Sequence, residues 1–215
     1  MSESTVYQFE GQSLREEAAN SITHGIGALL SVAATVLLIV GAALNGGAIK
    51  VVSFSIFGFT LCLLYTVSAL YHGIQKPAVK RLFHIFDHSA IFVLIAGTYT
   101  PVTLVAMQGG WGWSLFGVVW GLAIVGTIGT LLFFEKARYF NVGVYILMGW
   151  LIVIALPKMI HNFSFLALMW LTVGGICYTA GVLFYRAKKL PGHHAIWHLF
   201  VIGGSVCHFF MMTVL

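Results

Sequence analysis

The longest uncharged stretch of the chain, residues 88–134, decides its fold: HSAIFVLIAGTYTPVTLVAMQGGWGWSLFGVVWGLAIVGTIGTLLFF. A helix needs about 20 apolar residues to cross the hydrocarbon core of a bilayer. The stretch is therefore long enough for two crossings. The segment MQGGWGW at 107–113, rich in Gly and Trp, provides a break between them at the membrane interface. These residues predict two consecutive membrane-spanning helices.

The composition of the whole chain indicates the same class of protein. Of 215 residues, 60% are hydrophobic and 8% are charged, and the mean hydropathy is +0.96, whereas a soluble domain carries about 25% charged residues. Crossings are predicted at residues 22–44, 51–73, 86–107, 112–133, 139–157, 162–185 and 193–214. The predicted fold is an all-α integral membrane protein, a seven-transmembrane-helix bundle. Residues 1–20 would form a cytoplasmic N-terminal segment and residues 21–215 the helical domain.

The positive charges predict the orientation, because Lys and Arg collect on the cytoplasmic side of a membrane. With the N-terminus inside, the outer loops hold only Lys50 and Lys158. The inner segments then hold Arg15, Lys76, Lys80, Arg81, Lys136, Arg138, Arg186, Lys188 and Lys189. The N-terminus is therefore predicted to be cytoplasmic and the C-terminus outside. No basic stripe interleaved with aromatic residues indicates a nucleic-acid partner, and no feature indicates an obligate protein partner.

Most of the histidines fall at the same inner end of the predicted bundle. They come from four helices: His24, His72, His84, His88, His193, His194 and His198. Asp87, the only aspartate of the chain, begins the third predicted crossing at this level. Ionisable groups at membrane depth are costly and usually face the interior of the bundle or a water-filled cavity. The clustering favours a functional site, although Asp87 alone is equally explained as a helix cap.

Two spacings suggest how these side chains could act together. Ser68 and His72 are four residues apart, as are His194 and His198, so each pair shares one helical face. Two imidazoles at this spacing can reach one metal ion, and a third from a facing helix completes a three-nitrogen set suited to zinc, copper, iron or nickel. Alternative ligands on a shared face of the third helix are His84, Asp87 and His88.

Three ordered motifs resemble the hemolysin III branch of the progestin and adiponectin receptor family, which extends to alkaline ceramidases. The first motif is matched by residues 16–27, EEAANSITHGIG. The second is matched by two segments, SALYH at 68–72 and FDHSAIFVLIAGTYTP at 86–101. The third is matched by residues 194–210, HAIWHLFVIGGSVCHFF. The resemblance covers nearly the whole chain. It implies a seven-helix bundle with zinc near the cytoplasmic side, in the bacterial cytoplasmic membrane.

The resemblance also implies roles for individual residues. His72, His194 and His198 would correspond to the zinc ligands, Asp87 to the carboxylate that holds a metal-bound water, and Ser68 to a neighbour of that carboxylate. Residues that would support the site or serve as alternative ligands are Glu17, Asn20, His24, His84, His88 and His208. Glu17 is interpreted as a partner of a ligand histidine's free N–H. Asn20 is also explained as a cap of the first helix, and His208 as a satisfied polar residue of the core.

These residues lead to three hypotheses of function. The first is a zinc-dependent hydrolase of amide or ester bonds in membrane lipids, in which Asp87 orients water and takes its proton while Ser68 donates a hydrogen bond. The second is a non-enzymatic membrane protein, with a receptor-like or lipid-homeostasis role, whose zinc holds helices together. The third is a pore-forming or cytolytic factor, which is disfavoured because the ionisable residues gather at one membrane face.

Overall fold

The computed structural model describes residues 12–215, and this part of the chain is almost entirely helical. Its α-helices are α1 (Leu14–Asn45), α2 (Ala48–Gly73), α3 (Pro77–Pro101), α4 (Gly109–Trp150), α5 (Leu156–Asn162), α6 (Phe165–Arg186) and α7 (His193–Thr213). Within the described residues, six helical segments are long and apolar enough to cross a membrane: Leu14–Asn45, Ala48–Gly73, Pro77–Met107, Gly109–Asn162, Phe165–Arg186 and His193–Thr213. The predicted all-α membrane fold is confirmed at this level.

Local sequence signals explain where the first and third helices begin. Ser13 caps α1 through a capping box with Glu16, so the helix starts at Leu14, well before the predicted span at 22. The interpretation of Asn20 as the cap was therefore wrong. Pro77 occupies the first turn of α3, where its missing N–H costs no hydrogen bond. Asp87 consequently lies deep inside α3, and the interpretation of Asp87 as a cap was also wrong.

Two interruptions divide the long uncharged stretch of residues 88–134. The α-helix of α3 ends at Pro101 and continues as a π-helical segment, Val102–Met107. Gln108, with a φ of 48°, then separates this segment from α4 at the predicted Gly-rich break. A proline ring removes one backbone hydrogen bond and clashes with the preceding turn, which accounts for the change of helix type.

Helix α4 is not straight, because Phe133 leaves the helical region of the backbone. The Asn141 side chain donates a hydrogen bond of 2.8 Å to the Thr130 hydroxyl. In a straight helix, side chains eleven residues apart start about 16 Å apart along the axis. The chain therefore folds back at Phe133, and the two halves of α4 lie side by side.

Helix α3 lies at the centre of the bundle, with 67% of its most apolar stretch buried, against 22% for α1 and 17% for α6. It packs between α2 and α4, while α1 contacts α2 and α7 and α6 contacts α7. Small residues permit these close approaches: a Cβ at Gly97 of α3 would overlap the Thr60 side chain of α2. This packing brings the ends of α1, α2, α3 and α7 that carry the histidines together.

Candidate metal centre and lipid cavity

Three histidines from two helices converge in the interior of the bundle. His72 lies on the last turn of α2, and His194 and His198 lie on the first two turns of α7. One ring nitrogen from each lies within 4.8 Å of the others. All three side chains are buried, with exposures of 1%, 5% and 0%. The structure thus brings together the three residues that the family resemblance implied as metal ligands.

The partner of His72 determines which of its nitrogens can face a ligand. Its Nδ1 lies 2.7 Å from Oε2 of Glu17 on α1. Because a carboxylate accepts hydrogen bonds, Nδ1 donates to Glu17, and Nε2 is the nitrogen that remains available to a ligand. His72 Nε2 is buried and has no hydrogen-bond partner within residues 12–215. Glu17 therefore orients His72 as the sequence analysis expected.

His198 is held in the same tautomer by a residue that the sequence analysis did not single out. Thr23 donates its hydroxyl proton to the Asn20 carbonyl at 2.8 Å, so its oxygen accepts from Nδ1 of His198, 3.1 Å away. The lone pair of His198 is then on Nε2, which is buried and has no protein partner among the described residues. Thr23 directly precedes His24 in the first motif, and only the three-dimensional fold places it beside α7.

A buried cation balances the charge of Glu17. Lys80 Nζ lies 3.2 Å from Glu17 Oε1, and both side chains are nearly inaccessible, at 4% and 6% exposure. The ammonium group also donates to the Tyr71 carbonyl at 2.9 Å and lies over the Tyr71 ring. In the sequence, Lys80 was interpreted only as one of the positive charges that set the topology. Its position on α3, one turn inside the helix start, was the available signal that it could point inward.

The two predicted catalytic residues are related to this cluster in different ways, Ser68 through its position on α2 and Asp87 through a cavity that it shares with His194. Ser68 is one turn before His72 on α2, is 1% exposed, and its hydroxyl has no hydrogen-bond partner within residues 12–215. Asp87 is 6% exposed and lines two adjoining cavities. In the smaller cavity, of about 40 Å³, it lies together with His194. Asp87 therefore connects the histidine cluster with open space in the bundle.

The larger cavity has a volume of about 270 Å³ and a wall made mostly of aliphatic and aromatic side chains. Asp87, His24 and Trp197 line it, and His208 does so further along α7. Cavities of this character are typical of sites for apolar ligands with a few polar groups at fixed points. Its wall suits a hydrocarbon chain, and its polar residues suit the head of such a molecule.

His84, His88 and His208 are outside the three-histidine group, although His84 and His88 share the smaller cavity with Asp87 and His194. His84 and His88 pack edge-on against Phe134, and His84 also stacks on Tyr71 at 4.6 Å. Both line the smaller cavity, but the metal-competent group in the described chain does not include them. His208 lies 3.4 Å from the Leu171 carbonyl, away from the cluster.

The sequence matches a family model described as Haemolysin-III related over residues 12–209. Hemolysin-3 of Bacillus cereus is 47% identical over 199 residues, which cover 93% of this chain and 91% of that protein. The Hemolysin-3 homolog of Bacillus subtilis (strain 168) is 47% identical over 197 residues, 92% of each chain. Monocyte to macrophage differentiation factor of Homo sapiens is 28% identical over 201 residues, 91% of this chain and 82% of that protein.

No solved structure matches the chain. The apolar helices and the bacterial relatives identify an integral, multi-pass protein of the bacterial cytoplasmic membrane. The family match spans almost all of the described residues, including the three histidines of the cluster. The chain belongs to the Haemolysin-III related family.

Proposed function

We propose that this protein binds a zinc ion through His72, His194 and His198 and uses it to hydrolyse an amide or ester bond of a membrane lipid. The proposal depends most on one observation, the fixed tautomers of His72 and His198. Glu17 and Thr23 occupy both Nδ1 atoms, which leaves two buried Nε2 lone pairs within one small cluster. Buried polar atoms without partners are rare in folded proteins, and here a bound metal ion would satisfy them.

The proposed topology has seven crossings with the N-terminus in the cytoplasm. The reversal at Phe133 supports it, because it divides the segment Gly109–Asn162 into two antiparallel crossings. Lys136 and Arg138 follow the reversal immediately, as expected for a cytoplasmic turn. With this orientation the histidine cluster lies at the cytoplasmic end of the bundle, within reach of lipid headgroups of the inner leaflet.

Three imidazoles form a donor set that suits zinc. Catalytic zinc sites typically have three protein ligands and one open position. Zinc bound at such a site lowers the pKa of water toward about 7 and polarises a carbonyl group.

The other residues of the site supply binding and proton transfer. The apolar wall of the 270 Å³ cavity would hold the hydrocarbon chain of the lipid and exclude water from it. Asp87, where the two cavities adjoin, would orient the attacking water, accept its proton and pass it to the leaving amine or alcohol. Ser68, whose hydroxyl has no partner in the described chain, would donate a hydrogen bond to the substrate carbonyl or to the water.

Substitution of Asp87 separates metal binding from catalysis. We expect Asp87→Asn to retain near-stoichiometric zinc and to reduce hydrolysis of lipid amides and esters by about a hundred- to ten-thousandfold. Zinc is measured by elemental analysis of the purified protein, and hydrolysis by mass spectrometry in phosphatidylcholine vesicles. Glu135→Gln, the same change at an exposed carboxylate beside the Phe133 reversal, is the matched control and should leave both unchanged.

A zinc ion that holds helices together is the second candidate function. The observation in its favour is that the cluster and its hydrogen bonds join α1, α2 and α7 through Glu17, His72 and His198. Zinc bound without turnover of any amide- or ester-linked lipid in a broad panel would select this candidate. A wild-type protein without zinc would contradict both candidates.

A cytolytic activity, suggested by the names of the Bacillus relatives, fits the structure less well. The buried Asp, Glu, Lys and His side chains of residues 12–215 lie near one end of the helices, with His208 as the exception. They do not mark a polar path along the bundle.

A further inference from the structure

His24 is a fourth buried histidine beside the metal centre, and the proposed chemistry does not use it. Its side chain is 1% exposed, and neither ring nitrogen has a hydrogen-bond partner within residues 12–215. Leaving a buried polar group without a hydrogen-bond partner destabilises the folded protein. A position that retains such a group at this cost is a candidate site for a ligand that satisfies it.

The orientation of the His24 ring excludes it from the metal centre. It stacks on His198 with a centroid separation of 3.4 Å and an interplanar angle of 12°. An imidazole lone pair lies in the plane of its ring. An ion in the plane of His198 would therefore lie a full stacking distance outside the plane of His24, where His24 has no lone pair to offer. The metal-competent cluster in the described chain accordingly lacks His24.

His24 lines the larger cavity, the one that also contains Asp87 and Trp197. Its ring meets Tyr65 edge-on at 5.0 Å and lies 6.4 Å from the Trp197 ring, so aromatic contacts fix its position. A neutral imidazole offers one N–H donor and one acceptor nitrogen. Since most of the surrounding wall is apolar, His24 is a fixed hydrogen-bonding point at the end of the cavity nearest the metal centre.

We infer that His24 selects lipids that carry a hydroxyl group within a few bonds of the scissile amide or ester. This inference rests on the proposed function, because it takes the cavity to be the lipid site. A hydroxyl both donates and accepts, and so it can satisfy either nitrogen of His24. An analogue without the hydroxyl would leave the buried imidazole unsatisfied, which is the situation in which binding sites discriminate strongly.

The test compares two lipids that differ only in the hydroxyl, N-dodecanoyl ethanolamine and N-ethyl dodecanamide. Their dissociation constants are measured by retention of radiolabelled lipid on the purified, zinc-loaded full chain in detergent micelles. Hydrolysis and zinc content are measured on the same samples. The variant His24→Phe keeps an aromatic ring against His198 but removes both nitrogens. His24→Asn retains a donor and an acceptor, and His161→Phe makes the same change at an exposed helix end.

We expect the wild type and His161→Phe to bind the hydroxylated lipid about ten- to a hundredfold more tightly. His24→Phe should bind both lipids equally and keep its zinc, and His24→Asn should recover part of the preference. Equal affinities in the wild type, an undiminished preference in His24→Phe, or loss of zinc from both His24 variants would overturn the inference. If the preference depends on His24 but neither these two lipids nor the broad panel is hydrolysed, the hydrolase proposal fails and the selection of hydroxylated lipids by the cavity stands.

Discussion

Helix α7 carries buried histidines in two different settings, and the contrast separates a metal centre from an ordinary polar core residue. In the first two turns, His198 has its Nδ1 hydrogen-bonded to Thr23, and one of its ring nitrogens lies within 4.8 Å of nitrogens of His72 and His194. Further along, His208 lies beside the Leu171 carbonyl and against Gly174. The residue type, the helix and the degree of burial are the same in both places.

The difference lies in what the neighbouring helices contribute. At the first setting α1 and α2 supply a carboxylate, a hydroxyl and a further imidazole, so polar groups converge on one point. At the second setting α6 supplies a backbone carbonyl and a glycine that makes room for the ring. Convergence across helices, rather than the presence of histidine, therefore marks the site.

Separate substitution of His198 and His208 should give the largest difference in zinc affinity. We expect His198→Ala to lower zinc affinity by more than about a hundredfold, because loss of a ligand's hydrogen-bond partner alone costs ten- to a hundredfold. His208→Ala should leave zinc affinity unchanged. Competition with a chelating dye on the purified proteins measures both. An equal loss of zinc affinity in the two variants would show that His198 does not differ from His208 in its role.

The buried ion pair between Glu17 and Lys80 should contribute strongly to the folding stability of the protein around the metal centre. We expect Lys80→Met to destabilise the protein by about 3 kcal/mol or more, because it leaves the Glu17 carboxylate buried without its cation. The double variant Glu17→Gln/Lys80→Met should be less destabilised than the sum of the two single variants. Denaturant unfolding in detergent provides the free energies, and additive effects would show that the two groups do not interact.

Thr23 tests the hydrogen bond that fixes the His198 tautomer. We expect Thr23→Val to reduce zinc affinity by about ten- to a hundredfold, since Nδ1 of His198 loses its acceptor. Thr23→Ser should restore most of the affinity. Thr35→Val changes another threonine of α1, bonded to the Ser31 carbonyl, and should have no effect on zinc. Zinc affinities are measured by the same chelator competition as for the histidine variants. A zinc affinity of Thr23→Ser as low as that of Thr23→Val would argue against the hydrogen bond.

In the apolar half of the bundle, stability should depend on whether an added side-chain volume fits between the helices. Gly97→Ala should destabilise the protein by about 1–3 kcal/mol, because the added methyl overlaps Thr60. Gly117→Ala meets no atom within 4 Å and should be close to neutral. Thermal unfolding in detergent compares the two variants, and zinc content should be full in both. Equal melting temperatures would show that the α2–α3 contact is looser than described.

The sequence predicted the class of fold and the cluster because both depend on strong local signals. Uncharged stretches of membrane-spanning length mark the helices, and the spacing of His194 and His198 places them on one face. The predicted break at 107–113 coincides with the end of the π-helical segment at Met107 and the start of α4 at Gly109. The family resemblance then selected His72 as the third member.

The parts that the sequence did not predict depend on contacts between distant segments. Thr23 and Lys80 look like an ordinary helical threonine and an ordinary topological charge until α1, α3 and α7 are packed together. The two wrong interpretations, of Asn20 and Asp87 as caps, share one cause. Each placed a helix start where the uncharged stretch began, whereas Ser13 and Pro77 start these helices inside polar sequence.

X-ray absorption at the zinc edge of the purified protein tests the central claim most directly. We expect a zinc ion bound by three imidazole nitrogens at about 2.0–2.1 Å. Any zinc that the variant His72→Ala retains should show one histidine ligand fewer. A protein without zinc, or a spectrum dominated by sulfur ligands at about 2.3 Å, would contradict the central claim.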